Sequence, residues 1–180
     1  MAIPISAPEN RAAMTISKRT LIWLVPACIT IHNLEEALFM PAFLQARNSS
    51  MPGFLQRLLP PITYRQLLIS LIIVTTIPYL IAWLAILKRE GERGIQVLLG
   101  LQIVMLFNVF AHAWMAVVMR GYAPGVVTAF AINLPFSYYF MRRALREGWV
   151  SRRALALLIP IGLLIHVVGL PGIIILSGSI

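Results

Sequence analysis

A histidine and two adjacent carboxylates, in the stretch His32-Asn33-Leu34-Glu35-Glu36, lie inside a run apolar enough to cross a membrane. Imidazole nitrogens and carboxylate oxygens bind Zn²⁺ or Fe²⁺, and the same groups serve as general acids and bases. Placing them in hydrocarbon is unfavourable. A charge near the centre of a bilayer helix costs about 2.5–3.5 kcal/mol on the lenient insertion scale, so such residues default to function. No Lys or Arg lies inside any of the apolar runs. Two neighbouring ionised carboxylates would repel each other and bear a desolvation cost. A proton, an imidazolium or a bound metal ion must therefore neutralise them.

The elements that position these groups are membrane spans. The chain has 180 residues, 59% of them hydrophobic and 12% charged, with a mean hydropathy of +0.85, too apolar for an ordinary soluble domain. The net charge of +9 would suit nucleic acid if the cations clustered on a polar domain. They fall between the apolar runs instead, which excludes that partner. The expected fold is all-α, a polytopic bundle of five transmembrane helices over residues 21–44, 66–87, 94–119, 124–141 and 154–176, each long enough for the hydrocarbon core. Residues 1–19 read as a cytoplasmic tail and 20–180 as one transmembrane domain. Within the loop expected at 45–65, residues 54–59 form a short apolar piece suited to the interface. The loops on the side of the N-terminus carry 11 Lys and Arg and those on the other side carry 4, so the positive-inside rule predicts a cytoplasmic N-terminus and an external C-terminus. The expected location is the plasma (inner) membrane. Cys28 is the single cysteine; it can form no intramolecular disulfide and reads as packing.

A rise of 1.5 Å per residue converts position into depth. His32 lies roughly 18 Å from the cytoplasmic edge, and Asn108 and His112 roughly 20 and 26 Å. His166 falls near 20 Å and Asn133 at roughly 17 Å. These groups share one layer. Helical spacing places Cys28, His32, Glu35 or Glu36, and Phe39 on one stripe of the first span. Leu101, Met105, Asn108, His112 and Met115 form another on the third. Gly162 and Gly169 bracket His166 and would admit a close helix neighbour. Pro135 should break the fourth span near Asn133, and Thr75, Thr76 and Pro78 should kink the second.

The stretch from His32 to Glu36 has the form H-x-x-E-E, and His112 is followed by Tyr122-x-Pro124-Gly125-x-x-Thr128 and Pro135-x-Ser137-x-Tyr139. On these residues the chain resembles the HXXEE family of small integral membrane proteins. The resemblance implies a candidate membrane enzyme whose motif, second histidine and asparagines correspond to His32, Glu35, Glu36, His112, and Asn108 or Asn133. It supplies no reaction or substrate.

The function expected from these residues is an intramembrane, hydrolase-like enzyme acting on a lipophilic small molecule, with Zn or Fe as its metal. The candidate metal ligands are His32, Glu36, His112 and His166. The candidate catalytic groups are Glu35, Glu36, Asn108 and Asn133, a glutamate acting as base and an asparagine orienting a ligand or donating to an oxyanion. A metal-free acid/base isomerase would use the same glutamates with His112. A proton-linked transporter or a lipid-binding protein would use the same polar layer.

Overall fold

The computed structural model describes residues 16–50, 53–58, 61–87 and 91–179; most of the tail expected over 1–19 lies outside them. Among the described residues the chain is helical and contains no strand. Ser17 opens the first helix by accepting the Thr20 N–H at 3.0 Å, an N-cap that satisfies one of the free donors of the first turn. Helix α1 (Lys18–Ser50) runs beyond the expected end at residue 44. Loss of apolarity does not stop a helix, and beyond residue 44 the first Pro-Gly pair is Pro52-Gly53. The apolar piece expected at the interface is helix α2 (Gly53–Leu58).

Helices α3 (Tyr64–Leu87) and α4 (Gly91–Val118) follow the second and third apolar runs closely. The fourth run is a composite: α5 (Val126–Thr128), a wide π turn over Ala129–Asn133, and α6 (Leu134–Arg146). The fifth is built in the same way from α7 (Arg152–Leu164), a π turn over Ile165–Gly169, and α8 (Leu170–Leu176). In the first composite the Leu134 N–H reaches Ala129 O, and in the second the Leu170 N–H reaches Ile165 O. Each wide turn is followed by Leu-Pro, Leu134-Pro135 or Leu170-Pro171. Proline offers no N–H to the turn before it, so the regular ladder is already broken there.

Four helical stretches are long and apolar enough to cross a membrane: Lys18–Ala46, Tyr64–Leu87, Arg93–Val118 and Arg152–Ser179. They mark a membrane protein. Their outer faces are apolar, with Leu38, Ile72, Phe110, Val117, Leu157 and Leu176 among the exposed side chains, as contact with lipid requires. Helix α4 is the central element and packs against α1, α3, α6 and α7. Gly162 lets α7 come close to it, since a Cβ there would meet Ile103 Cγ2 at 2.6 Å. Gly169 does not share that role, because a Cβ there would meet only Ile165 of its own turn.

The apolar core gathers at one end of the bundle. Leu21, Val25 and Ile29 of α1 pack there with Ile95, Leu98 and Leu99 of α4 and with Phe140 and Ala144 of α6. Trp149 closes that end, with Lys18 Nζ and the Arg143 guanidinium 5.0 and 5.4 Å from its ring centre, both within cation–π range. Helices α1 and α4 leave this core in the same direction. Beyond Ile29 the next buried side chains of α1 are polar, His32 and Asn33.

Candidate metal centre

His32 of α1 is fully buried. Its Nδ1 lies 2.9 Å from Thr128 Oγ1, and that hydroxyl donates to Glu35 Oε2 at 2.5 Å. A hydroxyl has one proton, and here it goes to the carboxylate. The hydroxyl oxygen must then accept from His32 Nδ1–H, which leaves the Nε2 lone pair on the opposite edge of the ring to accept from the Asn108 amide or to bind an ion. A metal-binding histidine is held in this way, with one nitrogen tied down and the other facing the ion.

His32 Nε2 faces three groups. The Asn108 amide nitrogen is 2.8 Å away and also 3.0 Å from His112 Nε2. Glu36 Oε1 lies 3.0 Å from His112 Nε2 and 3.7 Å from His32 Nε2. The two imidazoles meet edge to face with centroids 4.9 Å apart. The ligand atoms that His32, Glu36 and His112 can offer all lie within 4.8 Å of one another. A tetrahedral ion with bonds of about 2.0–2.2 Å holds its ligands about 3.3–3.6 Å apart, so the two Glu36 separations bracket the required value. The donor set of two nitrogens and one oxygen fits Zn²⁺ or Fe²⁺.

Glu35 and Glu36 are adjacent in sequence but point about 100° apart around the helix, and they do different things. Glu36 turns towards the histidines. Glu35 is buried on the other side, where it accepts from Tyr122 OH at 2.5 Å, Val127 N at 3.2 Å, and Thr128 N and Oγ1 at 2.7 and 2.5 Å. With four donors on its two oxygens it anchors the segment that ties down His32. Phe39, one turn further along α1, packs edge to face on Tyr122 with centroids 5.3 Å apart. The stripe expected through Cys28, His32 and Phe39 thus runs through Glu35.

The turn before α5 closes over the cluster at Gly125, whose φ of 84° is left-handed. A Cβ on this residue would lie 2.8 Å from Cε1 of both His32 and His112 and 2.9 Å from Glu36 Cγ. Only hydrogen fits there. Thr128, Tyr122 and Gly125 carry no feature that marks them as site residues by charge or depth. The signal that could have found them is the block Tyr122-x-Pro124-Gly125-x-x-Thr128, all of whose named residues except Pro124 contact the site.

His166 and Asn133 stand apart from the group of three. His166 sits in the second π turn, its ring 6.5 Å from that of Phe107, and its buried Nδ1 has no partner among the described residues. Asn133 ends the first π turn, with both side-chain amide atoms buried and unpartnered. Its neighbour one turn on, Ser137, donates to Gln102 Oε1 at 2.8 Å. The kink region of α3 serves as a crosslink, because Thr75 Oγ1 accepts from the Asn33 amide at 2.7 Å.

The tether on His32 makes a prediction. Thr128→Val keeps the volume and removes the acceptor for Nδ1–H, so affinity for Zn²⁺ should fall about 10–100-fold. Thr128→Ser should retain it. Titration of metal-stripped protein with a competing chelator would measure both.

These features define a helical membrane protein with a buried His/His/Glu/Asn cluster between its first and third long helices. A family described as proteins of unknown function with an HXXEE motif matches residues 23–140. The chain belongs to that HXXEE family. It is also similar to the uncharacterized protein YrkK of Bacillus subtilis (strain 168), at 30% identity over 108 residues, covering 59% of this chain and 63% of the relative. No solved structure matches.

Proposed function

We propose that the protein is a plasma-membrane enzyme that binds Zn²⁺ or Fe²⁺ through His32, Glu36 and His112 and acts in a hydrolase-like manner on a lipophilic substrate. The observation that carries this reading is the approach of the three ligand atoms to within 4.8 Å of one another, beside a carboxylate with no Lys or Arg in the same layer. The apolar run over 124–141, helical from residue 126 onward, serves as a fifth span. With the basic residues weighted towards one set of loops, that makes the N-terminus cytoplasmic and the C-terminus external.

Three protein ligands leave a position open for water or substrate. An ion held there would polarise a substrate oxygen and make bound water a nucleophile near neutral pH. Glu36 uses one oxygen as ligand and keeps the other to take up a proton. Asn108, within hydrogen-bond distance of both imidazoles, can turn its amide to the reacting group. Glu35 is a positioning residue that acts through Thr128 on His32.

A second reading has its own support. The 3.0 Å between Glu36 Oε1 and His112 Nε2 is a distance across which a proton can pass directly, as a metal-free isomerase would need. Elemental analysis of the detergent-purified protein separates the two. Stoichiometric zinc or iron, lost in His32→Ala and His112→Ala, is the expected result. A metal-free preparation whose thermal unfolding is unmoved by Zn²⁺, Fe²⁺ or chelator would overturn the metal centre and leave the proton-transfer reading.

A further inference from the structure

A cavity of about 430 Å³ lies beside the cluster, lined by α1, α3, α4, the second π turn and α8. Its walls are mostly apolar, with Leu71, Val74, Val104 and Ile174 among them. The stripe Ile29, Asn33 and Glu36 of α1 borders it, and Glu36 and Asn108 belong both to the cavity and to the metal cluster. The cavity and the cluster are therefore continuous.

The polar groups in the wall differ in how they are engaged. Asn33 donates to Thr75, and Ser70 donates to Leu67 O at 2.7 Å. Glu36 and Asn108 meet the histidines. His166 alone makes no hydrogen bond among the described residues. A buried imidazole nitrogen without a partner is unfavourable by about 1–3 kcal/mol, and its place in a cavity wall suggests what relieves it. Among the described residues no Lys or Arg lines the space, and its one acidic group is Glu36. In protein without metal an anionic head group would find a carboxylate there and no cationic side chain. The volume lies near the small end of the roughly 300–1,000 Å³ typical of ligand sites, room for a single chain.

We infer that this cavity holds an uncharged single-chain lipid, a long-chain alcohol or its ester, with its oxygen function between His166 and the edge formed by Glu36 and Asn108. The chain lies along the apolar walls of α3, α4 and α8. His166 is thus a substrate-recognition residue and not a metal ligand. The inference deepens the proposed function and rests on it for treating the bound lipid as a substrate, while binding itself can be measured independently.

Equilibrium binding of tritiated hexadecanol to the full chain in detergent, with hexadecanoic acid as the anionic comparison and metal content measured on the same samples, tests it. Hexadecanol should bind stoichiometrically and, in chelator-stripped protein, more tightly than the acid. His166→Phe should weaken it about tenfold with metal content unchanged, and Val74→Trp should block it by filling the space. Circular dichroism checks the folding of each variant, and His166→Phe carries the test alone if Val74→Trp fails to fold. Equal binding of acid and alcohol in stripped protein, no stoichiometric binding, or a His166→Phe variant that binds as the parent does would overturn the inference. Binding that depends on His166 in protein that takes up neither Zn²⁺ nor Fe²⁺ would uphold the cavity and overturn the metal reading alone.

Discussion

Gly125→Ala is expected to remove the metal and destabilise the fold together. The backbone at this residue has φ of 84°, a conformation that costs an ordinary L residue roughly 1–2 kcal/mol. The added methyl would also stand within 3.0 Å of His32, His112 and Glu36, the three groups proposed to bind the ion. The turn cannot retreat freely, because Val126 N–H is bonded to Ala123 O and Ala129 N–H to Gly125 O at 3.0 and 2.9 Å. The imidazoles must move, and displaced ligands bind poorly. Zinc affinity should drop by about 100-fold or more, with a lower unfolding temperature in detergent. Gly172→Ala is the control, since a Cβ there meets nothing within 4 Å. A Gly125→Ala protein with full metal content would show that the turn does not press on the cluster.

The second large effect is expected at Glu35. Glu35→Ala leaves the Tyr122 hydroxyl, the Val127 and Thr128 amides and the Thr128 hydroxyl without their acceptor. Removing one side of so dense a network costs about 3–5 kcal/mol, because the remaining groups stay desolvated. Glu35→Gln should be milder yet still disruptive, since its amide nitrogen must face donors. In both variants, hydrogen exchange should quicken selectively over residues 122–128, and zinc should bind more weakly because Thr128 no longer fixes His32. Glu36→Gln should weaken zinc binding without accelerating exchange in that segment. The contrast separates two neighbouring glutamates that the motif presents as a pair.

Much of the framework was legible in the sequence because apolar length decides which segments can span a bilayer. Depth along the spans also puts His32, Asn108 and His112 at one level, where their side chains meet. It could not tell Glu35 from Glu36. Depth differs by only about 1.5 Å between neighbours, whereas direction differs by about 100°, and direction becomes meaningful only once α5 stands beside one face and α4 beside the other. Thr128, named only within the family block, had no site role for a related reason: a neutral hydroxyl carries little cost in a span, so its burial raises no alarm. His166 shared the depth of the cluster but not its place, because the second π turn packs on α4 beside Phe107 and faces Glu36 and Asn108 across the cavity. The expected span of 21–44 falls within the apolar stretch Lys18–Ala46, and α1 continues to Ser50 because loss of apolarity alone does not end a helix.

The two wide turns set how insertion and deletion would be felt along the chain. A π turn takes up one residue more than an α turn while its flanks stay in phase. If residues 129–133 ran as regular α-helix, the places now held by Ser137, Phe140 and Ala144 would pass to Phe136, Tyr139 and Arg143, and a guanidinium would enter the core. Losing one residue from within the turn would instead leave those three side chains where they are. Residues 129–133 and 165–169 are thus the points at which these helices can change length by one residue without re-aiming the bundle.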